Sequence, residues 1–181
     1  ITPKDWLHVV WQRKEGGRQS IFYTADLDGV TPSIIYQQQG ELNWSEKVPV
    51  SRATEPTTEP ASNPFVESFG DSVYVTWRGP NETGNDIGEI WKRWKWALPS
   101  GPWVIPPQNE SQTEIQESDY PVMSTGEVTA WQELLPNNWE IYAKVDNDTI
   151  NISNTPSTHS RYPHITVSLP SPVGPNVITI A

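Results

Sequence analysis

The sequence contains no cysteine and only one methionine in 181 residues. The absence of cysteine excludes disulfide bonds, thiol nucleophiles and thiolate metal sites. Basic residues are also scarce, since 12 Lys and Arg stand against 22 Asp and Glu, and the formal net charge is −10. A chain of this charge lacks the basic surface with which proteins bind nucleic acid or an anionic membrane. We therefore expect neither partner.

Long apolar runs and helical periodicity are missing as well. No run of 18 consecutive apolar residues occurs, so we predict no membrane insertion. No segment repeats apolar residues with the period of a helix, and we expect almost no helix. Instead, 18 prolines and 11 glycines are spread along the chain. This composition is typical of many short strands joined by turns.

A unit built from strands occurs three times. Its first strand ends in Trp11, Trp77 or Trp131, and these Trp residues are predicted to lie in the core. The second strand reads Ser-Ile or Glu-Ile followed by an aromatic residue. The unit closes with a polar or aromatic residue, Pro and two further residues, at Asn63–Val66, Tyr120–Met123 and Tyr162–Ile165. A strand repeat of about 40–50 residues is typical of β-propeller blades.

We therefore predict an all-β fold of about three antiparallel, four-stranded, propeller-like blades. This β-repeat domain covers residues 1–168, and residues 169–181 form a Pro-rich linker and a detached C-terminal strand. Propellers typically have four to eight blades, so three units leave several interpretations open. The chain is part of a larger propeller, another chain completes it, or the sheets form an open stack.

The C-terminal strand is a candidate assembly element. Its residues are Asn176, Val177, Ile178, Thr179 and Ile180. One interpretation makes it the second strand of a truncated fourth blade. The other inserts it into a neighbouring copy by strand addition, which generates a filament when the contact does not close into a ring.

Five Asn-x-Ser/Thr sequons occur, whereas the composition gives about two by chance. Most fall in or beside predicted loops, where a bulky glycan can be accommodated. They favour an exported glycoprotein located outside the cell or on its surface. The predicted glycosylation sites are Asn43, Asn81, Asn109, Asn147 and Asn151.

The stretch from Ile90 to Trp96 is a basic, Trp-rich strand in an acidic protein. Alternation places Trp94 and Trp96 on one face and Trp91 and Arg93 on the other. Aromatic and Arg side chains are favoured at interface hot spots, and Trp rings also stack on sugars. We treat these four residues as candidate contacts for a carbohydrate or protein partner. The alternative is a core face opposite a solvated charged face.

Two Asp clusters carry the oxygen ligands that Ca²⁺ prefers. They are Asp26 with Asp28, and Asp146 with Asp148. Neither has the spacing of an EF-hand loop, and Asp is a common turn residue. We therefore predict turns and no cofactor, with Ca²⁺ as the one metal left open.

The units resemble blades of the sialidase-type (Asp-box) β-propeller superfamily, whose blades commonly carry a Ser/Thr-x-Asp-x-Gly-x-Thr-Trp turn. Thr24–Gly29 keeps the first part of this pattern with one extra residue before Gly, and Gly101–Trp103 keeps only its Gly and Trp. The resemblance implies a propeller architecture. It implies no catalysis, because the Asp-box is a structural turn and the Arg-Ile-Pro motif of catalytic members does not occur here.

Together these features predict a non-enzymatic, extracellular structural or adhesive module. We expect it to assemble with copies of itself into a filament or surface layer, by exchange of the C-terminal strand. The alternative is a fragment of a larger β-propeller that binds or hydrolyses carbohydrate.

Overall fold

The computed structural model describes residues 7–15, 17–26, 45–51, 61–81, 87–97, 102–113, 115–168 and 177–180. Within these ranges the regular elements are β-strands, and the fold is all-β as predicted. No helix there is long and apolar enough to cross a membrane. The strands are β1 (His8–Glu15), β2 (Arg18–Ala25), β3 (Val48–Pro49), β4 (Ser62–Phe69), β5 (Ser72–Pro80), β6 (Gly88–Trp96), β7 (Trp103–Asn109), β8 (Glu117–Ser124), β9 (Val128–Leu134), β10 (Trp139–Val145), β11 (Asp148–Asn151), β12 (Ile165–Ser168) and β13 (Val177–Ile180).

The strands form four antiparallel sheets in chain order. The sheets are β1-β2-β3, β4-β5-β6-β7, β8-β9-β10-β11 and β12-β13. The second and third sheets are the four-stranded antiparallel units that the repeat predicts. A further strand predicted at Ser33–Gln38 lies outside the described residues.

The sheets pack in succession through their first strands. Strand β4 contacts β1 and β8, and β8 in turn contacts β12. The main core lies between the first two sheets, where Tyr23, Val50, Val75 and Trp77 form one buried cluster. Trp131 is fully buried in the third sheet, so Trp77 and Trp131 lie in the core as predicted. Trp11 is only half-buried and stacks on Phe22.

The C-terminal strand does not stand alone in the structure. Strand β13 pairs antiparallel with β12, from Ile165 opposite Ile180 to Ser168 opposite Val177. It therefore forms the second strand of a short fourth sheet within the same chain. Of the two interpretations of the tail, this pairing corresponds to the truncated fourth unit.

Candidate functional site

The Trp-rich strand β6 divides its side chains between two faces, as alternation predicts. Trp91 and Arg93 lie on the face packed against the first sheet. Trp91 is buried and donates its Nε1–H to the carbonyl of Pro80 at 2.8 Å. Arg93 donates to the carbonyl of Val50 at 3.2 Å. These two candidate contact residues are therefore occupied by structural interactions.

The basic face of β6 is more buried than the sequence suggested. Lys95 is only 2% exposed, and its Nζ lies 5.0 Å from the ring centroid of Tyr23 and 5.8 Å from that of Trp103. Burial lowers the pKa of Lys95, because desolvation disfavours the charged form. The alternative of a solvated charged face is therefore wrong for this residue.

The opposite face of β6 carries an aromatic cluster that reaches the surface. The Trp94 ring stacks on Tyr74 at 6.2 Å between centroids, and Trp96 meets Trp94 edge-to-face at 5.5 Å. Trp96 is 51% exposed, and Phe69 nearby in the sheet register is 49% exposed. Trp94 and Trp96 thus remain available as candidate contacts.

Two of the five sequons form the same hydrogen-bonded turn. The side-chain oxygen of Asn109 accepts the backbone N–H of Gln112 at 3.0 Å, and that of Asn151 accepts the N–H of Asn154 at 2.9 Å. Gln112 and Asn154 both adopt left-handed backbone conformations, with φ of 51° and 42°. The turn satisfies backbone donors that would otherwise lack a partner as the strand ends.

The serine of each of these sequons binds a buried glutamate. Ser111 donates its hydroxyl to Glu89 and accepts the N–H of Ile90 at 2.9 Å. Ser153 likewise donates its hydroxyl to Glu140 and accepts the N–H of Ile141 at 2.9 Å. Thr113 and Thr155, two residues further along, donate both backbone and hydroxyl hydrogens to the same carboxylates.

The first unit keeps only part of this arrangement. Ser51 accepts the N–H of Ile21 at 3.0 Å, but Ser20 stands where the other units have Glu. A serine that accepts the N–H of the Ile in the second strand of the unit therefore occurs in all three units.

The remaining sequons differ in exposure. Asn147 is exposed in the turn between β10 and β11. Asn81 is only 8% exposed, because it follows β5 directly and its backbone N–H is bonded to the carbonyl of Ile87 at 3.1 Å. Asn43 lies outside the described residues. Among the predicted glycosylation sites that the structure describes, Asn147 presents the most accessible side chain.

The buried carboxylates differ in their electrostatics. Burial raises the pKa of Glu89 and of Glu133, whose pKa is also raised by repulsion from Glu89. Burial also disfavours the charged form of Glu140, but the hydrogen bonds from Ser153, Thr155 and Asn138 outweigh it and lower the pKa. Glu133 accepts the indole N–H of Trp131 at 3.0 Å. Each carboxylate is thus held by structural donors.

Of the four Asp residues in the two clusters, Asp146 lies in a turn as predicted and Asp148 begins β11. Asp146 has a left-handed φ of 54° in the two-residue connection before Asp148. Asp26 is fully buried beside β2, and Asp28 lies outside the described residues. Across the described ranges, no three His, Asp or Glu side chains converge in a way that could hold a metal ion.

A concave groove lies where three units meet. It has a volume of about 280 Å³ and is formed by residues within the first strands of the second and third sheets and just before the first strand of the fourth sheet. We call it the axial groove. It is lined by Asn63, Pro64, Phe65, Tyr120, Pro121, Val122, Tyr162 and Pro163.

Three equivalent residues shape the axial groove. Asn63, Tyr120 and Tyr162 each precede a proline and have left-handed φ values of 49°, 50° and 59°. The rings of Tyr120 and Tyr162 meet edge-to-face with 4.9 Å between centroids, and they are 39% and 62% exposed. The recurring X-Pro segment in the sequence marked these positions, but it did not reveal that they converge.

No family model, curated protein or solved structure matches this chain. The resemblance to Asp-box propellers therefore remains an expectation from the sequence.

Proposed function

We propose that this chain is a non-enzymatic structural or adhesive module that acts outside the cell and joins copies of itself through its C-terminal strand. The supporting observation is the fourth sheet. Among the described residues it has two strands, whereas the two sheets before it have four. A two-stranded sheet is marginal by itself, so a strand added from another copy would stabilise it.

The pairing of β13 with β12 supplies the register for such an exchange. In a domain swap, the same four residue pairs form between two chains. The connection from Leu169 to Asn176 contains three prolines. Proline-rich linkers are extended spacers, and a spacer of this kind would allow β13 to pair with β12 of a neighbouring copy in place of its own.

The setting of the buried acids supports a structural role. Glu89 and Glu140 each accept several hydrogen bonds from serine and threonine within their own unit, and Glu133 accepts one from Trp131. A catalytic carboxylate has to be within reach of a substrate. The exposed Asn147 is the position at which we expect a glycan if the protein is exported.

The assembly is tested with a matched pair of variants at Thr179, which is exposed and lies opposite Thr166 in the ladder. Thr179→Pro removes a backbone donor and is incompatible with a paired strand. Thr179→Val keeps a β-branched residue and is the control. Light scattering after size exclusion, over a range of protein concentrations, measures the oligomer size.

We expect oligomers from the unchanged chain and from Thr179→Val, and monomers from Thr179→Pro. Near-ultraviolet circular dichroism of the Trp residues should be the same for all three proteins. Assembly of Thr179→Pro to the same size would rule out strand exchange. A monomeric unchanged chain at the highest concentration would rule out self-assembly.

A further inference from the structure

The repeat brings three equivalent positions to one place. The first strands of successive sheets contact each other, so the X-Pro segments before or within them converge on the axial groove. Repeat proteins commonly use such concave surfaces for binding, because each unit contributes the same position. In this groove each unit contributes a large or polar side chain followed by a proline.

The backbone at these positions is held in an unfavourable conformation. A left-handed φ is uncommon for Tyr and is further disfavoured before proline. The strand register shifts at the same dipeptides in β4 and β8, as expected for β-bulges that redirect a side chain. Strained backbone of this kind concentrates at functional sites.

Hydrogen bonds between sheets hold the strained residues in place. The backbone N–H of Asn63 donates to Gln12 at 3.3 Å, and that of Tyr162 donates to Gln132 at 3.2 Å. Gln12 and Gln132 both follow the recurring Trp of the preceding unit. The Tyr120 N–H donates to Asp119 at 2.8 Å. The groove is therefore preorganised.

The lining combines apolar faces with hydroxyl-binding groups. The Tyr and Pro rings offer surfaces for the C–H face of a pyranose ring, and the phenol groups donate and accept hydrogen bonds. At the rim, the side-chain amide of Asn63 donates to the Asp119 carboxylate at 2.6 Å. A mainly apolar pocket with a few fixed polar groups is the usual form of a small-ligand site.

The charge around the axial groove selects among sugars. Asp119 is a carboxylate at the rim, and the chain has a net charge of −10. Arg78 lies 3.3 Å from Glu117 and 4.0 Å from Asp119, so its charge is matched by acidic groups. A sialylated or phosphorylated sugar would be repelled, whereas a neutral sugar would not.

We infer that the axial groove binds a neutral saccharide, with Tyr162 as the stacking surface. This site goes beyond the proposed function, since a self-assembling module need not bind sugar. It also differs from the surface around Trp94 and Trp96 that the sequence suggested. Tyr162 is the more exposed of the two groove tyrosines, and its ring is held at one edge by Tyr120.

The inference is tested by titrating the ¹⁵N-labelled chain with neutral trisaccharides (cellotriose, maltotriose, chitotriose and mannotriose) and with anionic 3′-sialyllactose. Amide shifts are followed by NMR. We expect a neutral trisaccharide to shift the resonances of Tyr120, Val122 and Tyr162. Tyr162→Ala should weaken its binding at least about ten-fold, equivalent to about 1.4 kcal/mol. Tyr162→Phe, which keeps the ring, should bind within about two-fold of the unchanged chain.

Phe69→Ala is the control, because it removes an exposed aromatic ring outside the groove and should bind as the unchanged chain does. Trp96→Ala tests the competing surface around Trp94 and Trp96. The inference is overturned if no neutral trisaccharide binds or if Tyr162→Ala binds normally. Loss of binding in Trp96→Ala alone, or stronger binding of 3′-sialyllactose, also overturns it. None of these results depends on the oligomer size.

Discussion

At the scale of single residues, two buried carboxylates have pKa values shifted in opposite directions. Glu140 and Glu133 are both almost inaccessible to solvent. The pKa of Glu140 is lowered because several hydrogen bonds outweigh burial. The pKa of Glu133 is raised because burial and the nearby Glu89 charge exceed the one indole hydrogen bond. The free energy of unfolding therefore depends on pH through these two carboxylates.

Replacing Glu133 by Gln tests this component. The folded-state pKa of Glu133 lies above the ordinary value of 4.5, so the folded chain binds more protons than the unfolded chain. Its contribution to stability is greatest below pH 4.5 and is lost as the pH rises through the folded pKa. Relative to the unchanged chain, Glu133→Gln should therefore gain stability on going from pH 4.5 to pH 8.

Urea unfolding at several pH values measures this difference. Glu46→Gln replaces an exposed carboxylate by the same amide and is the control for the change of charge. Burial and the charge of Lys95 lower the pKa of His8 to about 4, which destabilises the fold as the pH falls below 6.5. The effect of His8 is the same in the unchanged chain and in Glu133→Gln, so it cancels in the difference between their free energies of unfolding. A difference independent of pH would contradict the prediction for Glu133.

The sequence predicted which residues of β6 share a face, because alternation in a strand depends only on position. It did not predict which face is buried. That depends on the sheet packed against it, which supplies Tyr23 and Val50 to receive Lys95 and Arg93. Tertiary contacts of this kind have no signature in local sequence.

At the scale of elements, a turn after the outer strand stabilises the repeat. The hydroxyl of Ser111 connects the backbone of Ile90 to the carboxylate of Glu89. Ser153 has the same role with Glu140 and Ile141. One serine therefore bonds both a strand N–H and a buried acid. Its loss leaves the strand N–H without this acceptor and removes one of the donors to the carboxylate.

Ser111→Ala is expected to lower the free energy of unfolding by about 1–3 kcal/mol, because two buried polar groups lose a hydrogen bond. Ser157→Ala, in an exposed turn, is the matched control and should change it by less than about 0.5 kcal/mol. Urea denaturation monitored by Trp fluorescence gives both values. Equal effects of the two variants would show that the Ser111 hydroxyl has no special role.

Strand positions were largely predictable from the sequence, but this turn was not. Period-two alternation and turn residues set the strands, and the recurring Glu-Ile pattern was visible. The link between Glu89 and Ser111 spans 22 positions. The contact depends on β7 lying beside β6 in the sheet, and local sequence does not encode this placement.

At the scale of the whole molecule, a buried ionic bridge joins the second and third sheets. Glu110 is 4% exposed, and its two carboxylate oxygens lie 3.3 Å from Lys92 Nζ and 3.5 Å from Lys144 Nζ. Lys92 belongs to β6 and Lys144 to β10. The carboxylate therefore couples the stability of two sheets.

Glu110→Gln should reduce the free energy of unfolding by about 3–5 kcal/mol, because two partly buried ammonium groups lose their counter-charge. Lys144→Met should cost less, since Lys92 still pairs with Glu110. In the double variant the costs should not add, because the two side chains interact directly. Strict additivity in urea denaturation would show that the Glu110–Lys144 pair contributes nothing.

The Asn-x-Ser turn also affects how such a chain is recognised by the enzymes that attach oligosaccharides. At Asn109 and Asn151 the acceptor tripeptide coincides with the turn that follows the outer strand of a sheet. Each unit that uses this turn therefore adds one Asn-x-Ser tripeptide to the sequence, because the Asn and Ser side chains form the hydrogen bonds of the turn. In a longer array, the number of apparent acceptor sites would grow with the number of units, whether or not any sugar were ever attached.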